Sequence, residues 1–354
     1  MFNKPNIKIQ PTIKIAVVIP CYKVEKHLES VIEGIPDFID TIILVDDESP
    51  DNTPELVDRL AEQFPNHVVA LHHDVNQGVG GATMTGMKHA VTLGANIIVK
   101  MDGDGQMDPA YLPALIEPLL QEKADFTKGS RFTNAEVLQK MPLVRLIGNA
   151  GLSFLNRIAS GYWNVLDPTN GYFAIRAEIV GQLPEHRIHK RYFYESSQLI
   201  ELGILRAVVQ DVPMRTIYGD EVSNLSIKKT LLEFPPKLFA GFCRRIWLTK
   251  ILLTTSPDII LGILGILLML FGVTFGSYKW IFGSIIEGQI ATAGAVMFAA
   301  LPCIMGLQML LSALLIDIQS VPTQQISQHL SFHQNFLINE KKNDTKISVK
   351  QRAA

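Results

Sequence analysis

Between residues 13 and 218 the chain switches repeatedly between two periodicities. "IKIAVVIP", "TIILVDD", "HVVALHH" and "NIIVKMD" are short, nearly continuous apolar runs; "KVEKHLESVIEGI", "TPELVDRLAEQF" and "GATMTGMKHAVTLG" between them carry apolar residues at helical spacing. A strand reads as an unbroken apolar run when both of its faces are covered. The order β-α-β-α-β-α-β therefore predicts an α/β fold with a Rossmann-like, mostly parallel sheet and helices on both faces. Ligands of such sheets bind outside the carboxyl ends of the strands. The carboxylates gather at those ends: Asp46 with Asp47, Asp74, and Asp102 with Asp104.

The C-terminal third has a different pattern. Residues 259–278 and 291–316 are charge-free and each long enough to cross a bilayer, so two transmembrane helices are expected. Lys228, Lys229, Lys237, Arg244, Arg245 and Lys250 precede the first run, and Lys341, Lys342, Lys346, Lys350 and Arg352 follow the second. The connection carries only Lys279 and Glu287, so the positive-inside bias places both ends in the cytoplasm and loop 279–290 outside. Between the two regions "PPKLFAGFCRRIWLTKILL" reads as an interfacial helix, with Lys237, Arg244 and Arg245 toward anionic head groups and Leu238, Phe239, Phe242 and Ile246 on an apolar face. The expected organisation is a globular unit at 13–225, a juxtamembrane helix at 230–255, a membrane pair within 258–318 and a polar tail at 319–354.

The 354 residues suffice for more than one compact unit. A net charge of −2 supplies no basic field for a nucleic-acid partner. Cys21, Cys243 and Cys303 are far apart and lack metal spacing, which fits a reducing cytoplasmic environment without disulfides. The start, "MFNKPNIKIQPTIK", has no apolar core, so no signal peptide is expected.

The chemistry concentrates in "IIVKMDGDGQMDP", residues 97–109. Asp102 and Asp104 lie two apart after a buried strand, Gly103 and Gly105 permit sharp turning, and Gln106 adds a neutral oxygen. Hard oxygen donors of this kind suit Mg²⁺ or Mn²⁺ sharing their coordination with substrate phosphates. Asp and Gly are also ordinary turn residues, which is the plainer reading. "NQGVGGA" lacks the spacing of a dinucleotide fingerprint, but a glycine-lined helix start can face phosphate.

Taken in order, "VVIPCYKVEKHL", "ILVDDESPDNT", "NQGVGGA", "MDGDGQMDP" and "KGSRF" resemble family 2 glycosyltransferases of GT-A type. With the two C-terminal spans they look most like the polyprenyl-phosphate sugar transferases, the dolichyl-phosphate mannosyltransferase-like branch. The resemblance implies a UDP- or GDP-linked sugar donor, a polyprenyl phosphate acceptor, a divalent ion, and a multi-pass protein of the cytoplasmic membrane with its catalytic unit inside; it leaves self-association open. By position it implies that Pro20, Tyr22, Glu25, Asp46 and Asp47 line the nucleotide pocket, bordered by Asn76, Gly78 and Gly80. It makes Asp102, Asp104 and Gln106 the metal ligands, and Arg131 and Arg145 the contacts to the acceptor phosphate. "DPTNGYFAIR" resembles the segment that closes the site. Glu25 sits one step from the branch's Y-N-E position, and the acidic pair Asp220–Glu221 stands where the branch has a basic segment. An anionic acceptor needs no general base; Glu195, otherwise a helix-surface acid, is the fallback for a hydroxyl acceptor. The rival readings are a transferase acting on a glycan or lipid hydroxyl, and a non-catalytic membrane scaffold.

Overall fold

A computed structural model of the chain describes residues 13–131, 143–214, 227–252 and 256–326. Strands β1 (Ile15–Cys21), β2 (Thr41–Asp46), β3 (Val68–His72), β4 (Ile97–Lys100), β5 (Phe126–Ser130), β6 (Phe173–Arg176) and β7 (Val209–Pro213) form one seven-stranded sheet in the order β3-β2-β1-β4-β6-β5-β7. All neighbours are parallel except β6, which runs antiparallel between β4 and β5. Helices α1 (Leu28–Glu33), α2 (Thr53–Gln63) and α4 (Leu112–Leu120) bury Leu28, Leu56 and Leu115 on one face. On the other, α3 (Val79–Thr92) and α6 (Tyr194–Leu205) bury Met87 and Tyr194. The mostly parallel sheet covered on both faces is therefore the one expected. Strand β6 lies outside the alternation, in "DPTNGYFAIR". Its four residues are too few for periodicity to separate strand from helix.

Helix α5 (Leu143–Ser160) and helix α7 (Ile227–Arg245) pack with α6 through Ala159, Phe193, Ile200, Phe234 and Leu238. This packing reassigns the faces of the juxtamembrane helix. Arg244 pairs with Glu201 while staying 27% exposed, and Arg245 is buried. Leu238 is also buried, while Leu232, Phe239 and, in the following wider turns Ile246–Leu252, Trp247 are exposed. The apolar stripe that remains outside keeps Phe239 from the face read in the sequence but is rotated away from Leu238, because the sheet unit covers that side.

Helix α8 (Pro257–Tyr278) continues in wider turns to Ile286, and α9 is Ala293–Gln319. Both are long and apolar enough to cross a membrane. The expected loop 279–290 is helical through Ile286, which shortens the connection. Small residues set the contact between the two helices: a Cβ on Gly265 would stand 2.9 Å from the Gly306 carbonyl oxygen, and one on Gly272 would stand 2.5 Å from Cys303 Sγ.

The near end of this hairpin is fastened to the sheet unit by buried charge. Arg245 donates to both oxygens of Asp317 at 2.9 and 3.1 Å and to the carbonyls of Ile158 and Ala159. Trp163 Nε1 donates to Asp317 at 3.1 Å, and Lys250 pairs with Asp258 at 2.8 Å. Beyond α9 the chain returns to the sheet: Gln325 donates to the Ala124 carbonyl, and the Ile326 N–H donates to Asp125. The first residues of the expected polar tail are therefore packed. Asp220, Glu221, residues 1–12 and the basic residues from Lys341 onward lie outside the described residues, as do the side chains of Lys228 and Lys229.

Candidate active site

Strand order reverses between β1 and β4: β2 and β3 lie to one side of β1, and β4 to the other. A crevice opens at the carboxyl ends of such a pair. The loop Asp102–Gln106 leaves β4 there, with Gly103 packed on Ile19, Val24 and Leu28, and Gly105 beside His27. Gly105 has φ +76°, a conformation that favours glycine. Asp104 accepts the Gln106 N–H at 3.0 Å, which closes the loop.

The remaining expected pocket residues divide into two groups. Tyr22 is 46% exposed at the end of β1, and Glu25 accepts from Asn52 at 2.9 Å, so both reach the rim. Pro20 is a buried strand residue registered with Val45. Asp46 is buried and accepts the Ser49 N–H. Asp47 is buried and accepts the N–H groups of Gln77 and Gly78 at 2.8 and 2.7 Å as well as His73 Nδ1. Asn76 donates to the Asp47 carbonyl. Gly78 and Gly80 are packed beneath the segment 189–194: a Cβ would fall 2.5 Å from the Lys190 carbonyl oxygen in the first and 2.4 Å from that of His189 in the second. The Gly80 N–H donates to the Lys190 carbonyl at 2.8 Å. At the start of α3, which by its glycines can face phosphate, Asp47 takes the Gln77 and Gly78 amides and the Lys190 carbonyl takes that of Gly80.

Arg131 stands at the end of β5, and its guanidinium is anchored at two points by the fully buried Asp167, Nε to Oδ2 at 2.6 Å and Nη2 to Oδ1 at 2.9 Å. The fork expected to meet an acceptor thus holds an internal carboxylate, while the side chain stays 35% exposed. Arg145 falls in α5, but its side chain lies outside the described residues.

Two residues that the sequence reading passed over, Lys100 and Lys128, are fully buried. Register explains their meeting: Lys100, Phe173, Lys128 and Asp211 lie in one row across β4, β6, β5 and β7, so their side chains share a face. Lys100 Nζ donates to Asp102 Oδ1 at 2.5 Å, and Lys128 Nζ to the Asn170 carbonyl at 2.5 Å. Burial lowers the Lys128 ammonium to about 8, although Glu195, Asp167 and Asp211 oppose the shift. Burial raises Asp211 to about 6 against a hydrogen bond from the Leu166 N–H. Glu195 is not a surface acid: burial raises its carboxyl, with Lys100 and Lys128 opposing. The available signal was a lysine inside each of two runs otherwise suited to burial, "IIVKMD" and "DFTKGS".

The segment Asp167–Tyr172 joins these parts. Asp167 holds Arg131, and Asn170 accepts from Lys128 and donates to the Gly129 carbonyl. A Cβ on Gly171 would stand 2.6 Å from Lys100 Nζ and 3.1 Å from Asp102 Oδ2. Tyr172 donates its hydroxyl to the Asp108 carbonyl at 3.1 Å.

Among the described residues no three His, Cys, Asp or Glu side chains form a metal-holding group. The loop offers two carboxylates and an amide, Asp102, Asp104 and Gln106. These hard oxygen donors fit Mg²⁺ or Mn²⁺, which complete their shells with water and phosphate.

The family model described as Glycosyl transferase family 2 matches residues 16–183, which include β1 through β6 and every loop described above up to Tyr172. A UDP-N-acetylglucosamine–dolichyl-phosphate N-acetylglucosaminyltransferase from Methanococcus voltae is 36% identical over 218 residues, 58% of this chain and 86% of the relative. An undecaprenyl-phosphate mannosyltransferase from Micrococcus luteus is 29% identical over 204 residues, 57% of this chain and 82% of the relative. Among solved structures, glucosyl-3-phosphoglycerate synthase from Mycobacterium tuberculosis aligns at 21% identity over 69% of this chain and 86% of that one, with a TM-score of 0.47. With a relative this similar over most of its own length, and with the matched region carrying the strand-end site, the chain belongs to glycosyltransferase family 2.

Proposed function

We propose that the protein is a membrane-bound, inverting glycosyltransferase that moves a sugar from a UDP- or GDP-linked donor to a polyprenyl phosphate, with Mg²⁺ or Mn²⁺ as cofactor. The observation that carries this reading is the segment Asp167–Tyr172, which ties an anchored, part-exposed arginine to the acidic loop within one strand-end crevice. Such a pairing suits two anionic partners, a diphosphate at the loop and a phosphate at the arginine. The names of the Methanococcus and Micrococcus relatives support the acceptor class. The two exposed apolar helices support a lipid carrier.

The acceptor phosphate is already an anion near neutral pH, so it needs orientation rather than deprotonation. Arg131, held by Asp167, orients it. Arg145 on α5 is assigned to the same phosphate. Tyr22, Glu25 and Asp46 border the nucleotide, while Asp47, Asn76, Gly78 and Gly80 shape the wall behind it. A divalent ion held by Asp102, Asp104 and Gln106 would neutralise the diphosphate leaving group. Direct displacement by the acceptor oxygen inverts the anomeric carbon. The catalytic unit, 13–225, and both chain ends lie on the cytoplasmic side. A second reading, transfer to a hydroxyl, is favoured by Glu195, whose burial raises its carboxyl and makes it a stronger proton acceptor than an exposed acid.

The test offers purified protein a panel of nucleotide sugars with polyprenyl phosphate, polyprenol or a soluble glycan. Transfer is expected to polyprenyl phosphate alone; it should be abolished by chelator and restored by Mg²⁺ or Mn²⁺. Transfer to polyprenol or glycan in preference to the phosphate would favour the Glu195 reading. Neither transfer nor metal-dependent hydrolysis of any donor would mean a scaffold.

A further inference from the structure

Lys100 has no role in the reading above, yet it is a fully buried charge two residues before the acidic loop. Its side chain is 1% exposed, and its Nζ donates to Asp102 Oδ1 at 2.5 Å. An isolated ammonium at such a position costs several kcal/mol, which its pairing with a carboxylate offsets. The strand is otherwise "IIV", so its core packing does not call for a charge. Gly171 is the second observation. Its backbone lies so close to the pair that any side chain would collide with Lys100 Nζ at 2.6 Å and Asp102 Oδ2 at 3.1 Å. The ammonium and the carboxylate are therefore clamped together, with one oxygen of Asp102 on the lysine.

This clamp has an electrostatic consequence. A carboxylate already paired with a buried ammonium offers a cation less attraction than a lone one, and the ammonium repels the incoming cation. The protein part of the site is then too weakly anionic to hold a divalent ion well by itself. A diphosphate that brings its own negative charge to the loop reverses that balance.

We propose that Lys100, clamped by Gly171, is a positioning residue that fixes the orientation of Asp102 and makes divalent-cation binding contingent on the nucleoside diphosphate. The inference rests on the assignment of Asp102, Asp104 and Gln106 to a metal. It assigns Lys100 a contact with Asp102 only, none with substrate.

The experiment measures Mn²⁺ binding by electron paramagnetic resonance on the purified full-length protein, with Mn²⁺ alone and with Mn²⁺ plus UDP or GDP. Thermal melting serves as the check on folding. The wild type should bind Mn²⁺ alone weakly and more tightly with the diphosphate. Lys100→Met should tighten binding of Mn²⁺ alone by about tenfold, as expected for removing a neighbouring like charge, and should shrink the gain from the diphosphate. Gly171→Ala, which crowds both Lys100 Nζ and Asp102 Oδ2 while keeping both charges, should leave the affinity for Mn²⁺ alone weak. Lys100→Arg, which keeps the charge, should leave the affinity for Mn²⁺ alone weak. A merely structural lysine would loosen both affinities on replacement. Unchanged or weaker binding of Mn²⁺ alone in folded Lys100→Met protein overturns the inference while leaving the metal assignment standing. Wild-type protein that binds no Mn²⁺ even with either diphosphate overturns both.

Discussion

At the scale of single residues, Arg131 and Asp167 form the pair on which the acceptor assignment depends. Asp167 is fully buried and contacts the arginine at three points: the backbone N–H, Nε and Nη2. Lysine carries the same charge but cannot reproduce the two-point contact. Arg131→Lys should therefore reduce sugar transfer by one to two orders of magnitude, roughly the loss of one charge-assisted hydrogen bond. Hydrolysis of the donor by water should fall much less. Equal loss of both activities would assign Arg131 to the donor or to the fold. Lys128 makes a different prediction. Its ammonium is held near 8 in the folded chain, below the ordinary lysine value, so between about 8 and 10.5 the unfolded chain binds more protons and stability rises with pH. The cost of burying this charge is present below 8 and relieved above 10.5. Measured by denaturant melts, wild type should gain roughly 3 kcal/mol relative to Lys128→Met across that window. A flat difference would mean that the lysine keeps its ordinary value in the folded chain, its burial fully compensated by the carboxylates around it.

At the scale of elements, the junction between the sheet unit and the apolar hairpin is held by a buried ion network rather than by apolar packing alone. Asp317 at the end of α9 receives Arg245 and Trp163, with Lys250 3.5 Å away. Removing this carboxylate deprives buried Arg245 of its anionic partner, while Lys250 keeps Asp258. Asp317→Asn should cost about 3–5 kcal/mol, the usual penalty for breaking a buried pair. The expected readout is a lowered melting temperature in detergent together with a shifted Trp163 emission. The double variant Arg245→Met with Asp317→Leu should recover part of the loss, because the charges leave together. Additive losses in a double-mutant cycle would refute coupling between α7 and α9.

At the scale of the whole molecule, the closing of the hairpin's near end onto the sheet unit puts its two helix termini on one side. Asp258 at the start of α8 and Asp317 near the end of α9 both meet Lys250, and Gln325 reaches Ala124 in the sheet unit. If α8 and α9 cross the bilayer, the connection around Gln289 must emerge on the opposite face. Cys243 is exposed and serves as a native reporter on the sheet side. With Gln289→Cys, an impermeant thiol reagent should label residue 289 in intact cells, and Cys243 only after permeabilisation. The reverse pattern would invert the orientation derived from the lysines and arginines.

The strand–helix alternation, the position of the acidic loop and the two apolar spans were legible in the sequence, because each depends on local periodicity or on composition within one segment. The apolar runs around Ile19, Leu44 and Val99 announce covered strands whatever their order, and a charge-free run of this length announces a helix long and apolar enough to cross a membrane. The sequence could not show that Asp47 and Gly80 are occupied by backbone partners from segments 76–78 and 189–194, since those partners lie far along the chain. Nor could it show that Arg244 and Arg245 pair inward with Glu201 and Asp317, because a helical wheel gives a face but not what covers it. The row Lys100–Phe173–Lys128–Asp211 depends on β6 entering antiparallel between β4 and β5, which fixes register among four strands at once. Chemistry carried within one loop could therefore be read from the chain directly. Whether a charge faces solvent, substrate or another buried charge was decided only by tertiary pairing, because the stability of a buried ion depends on its partner.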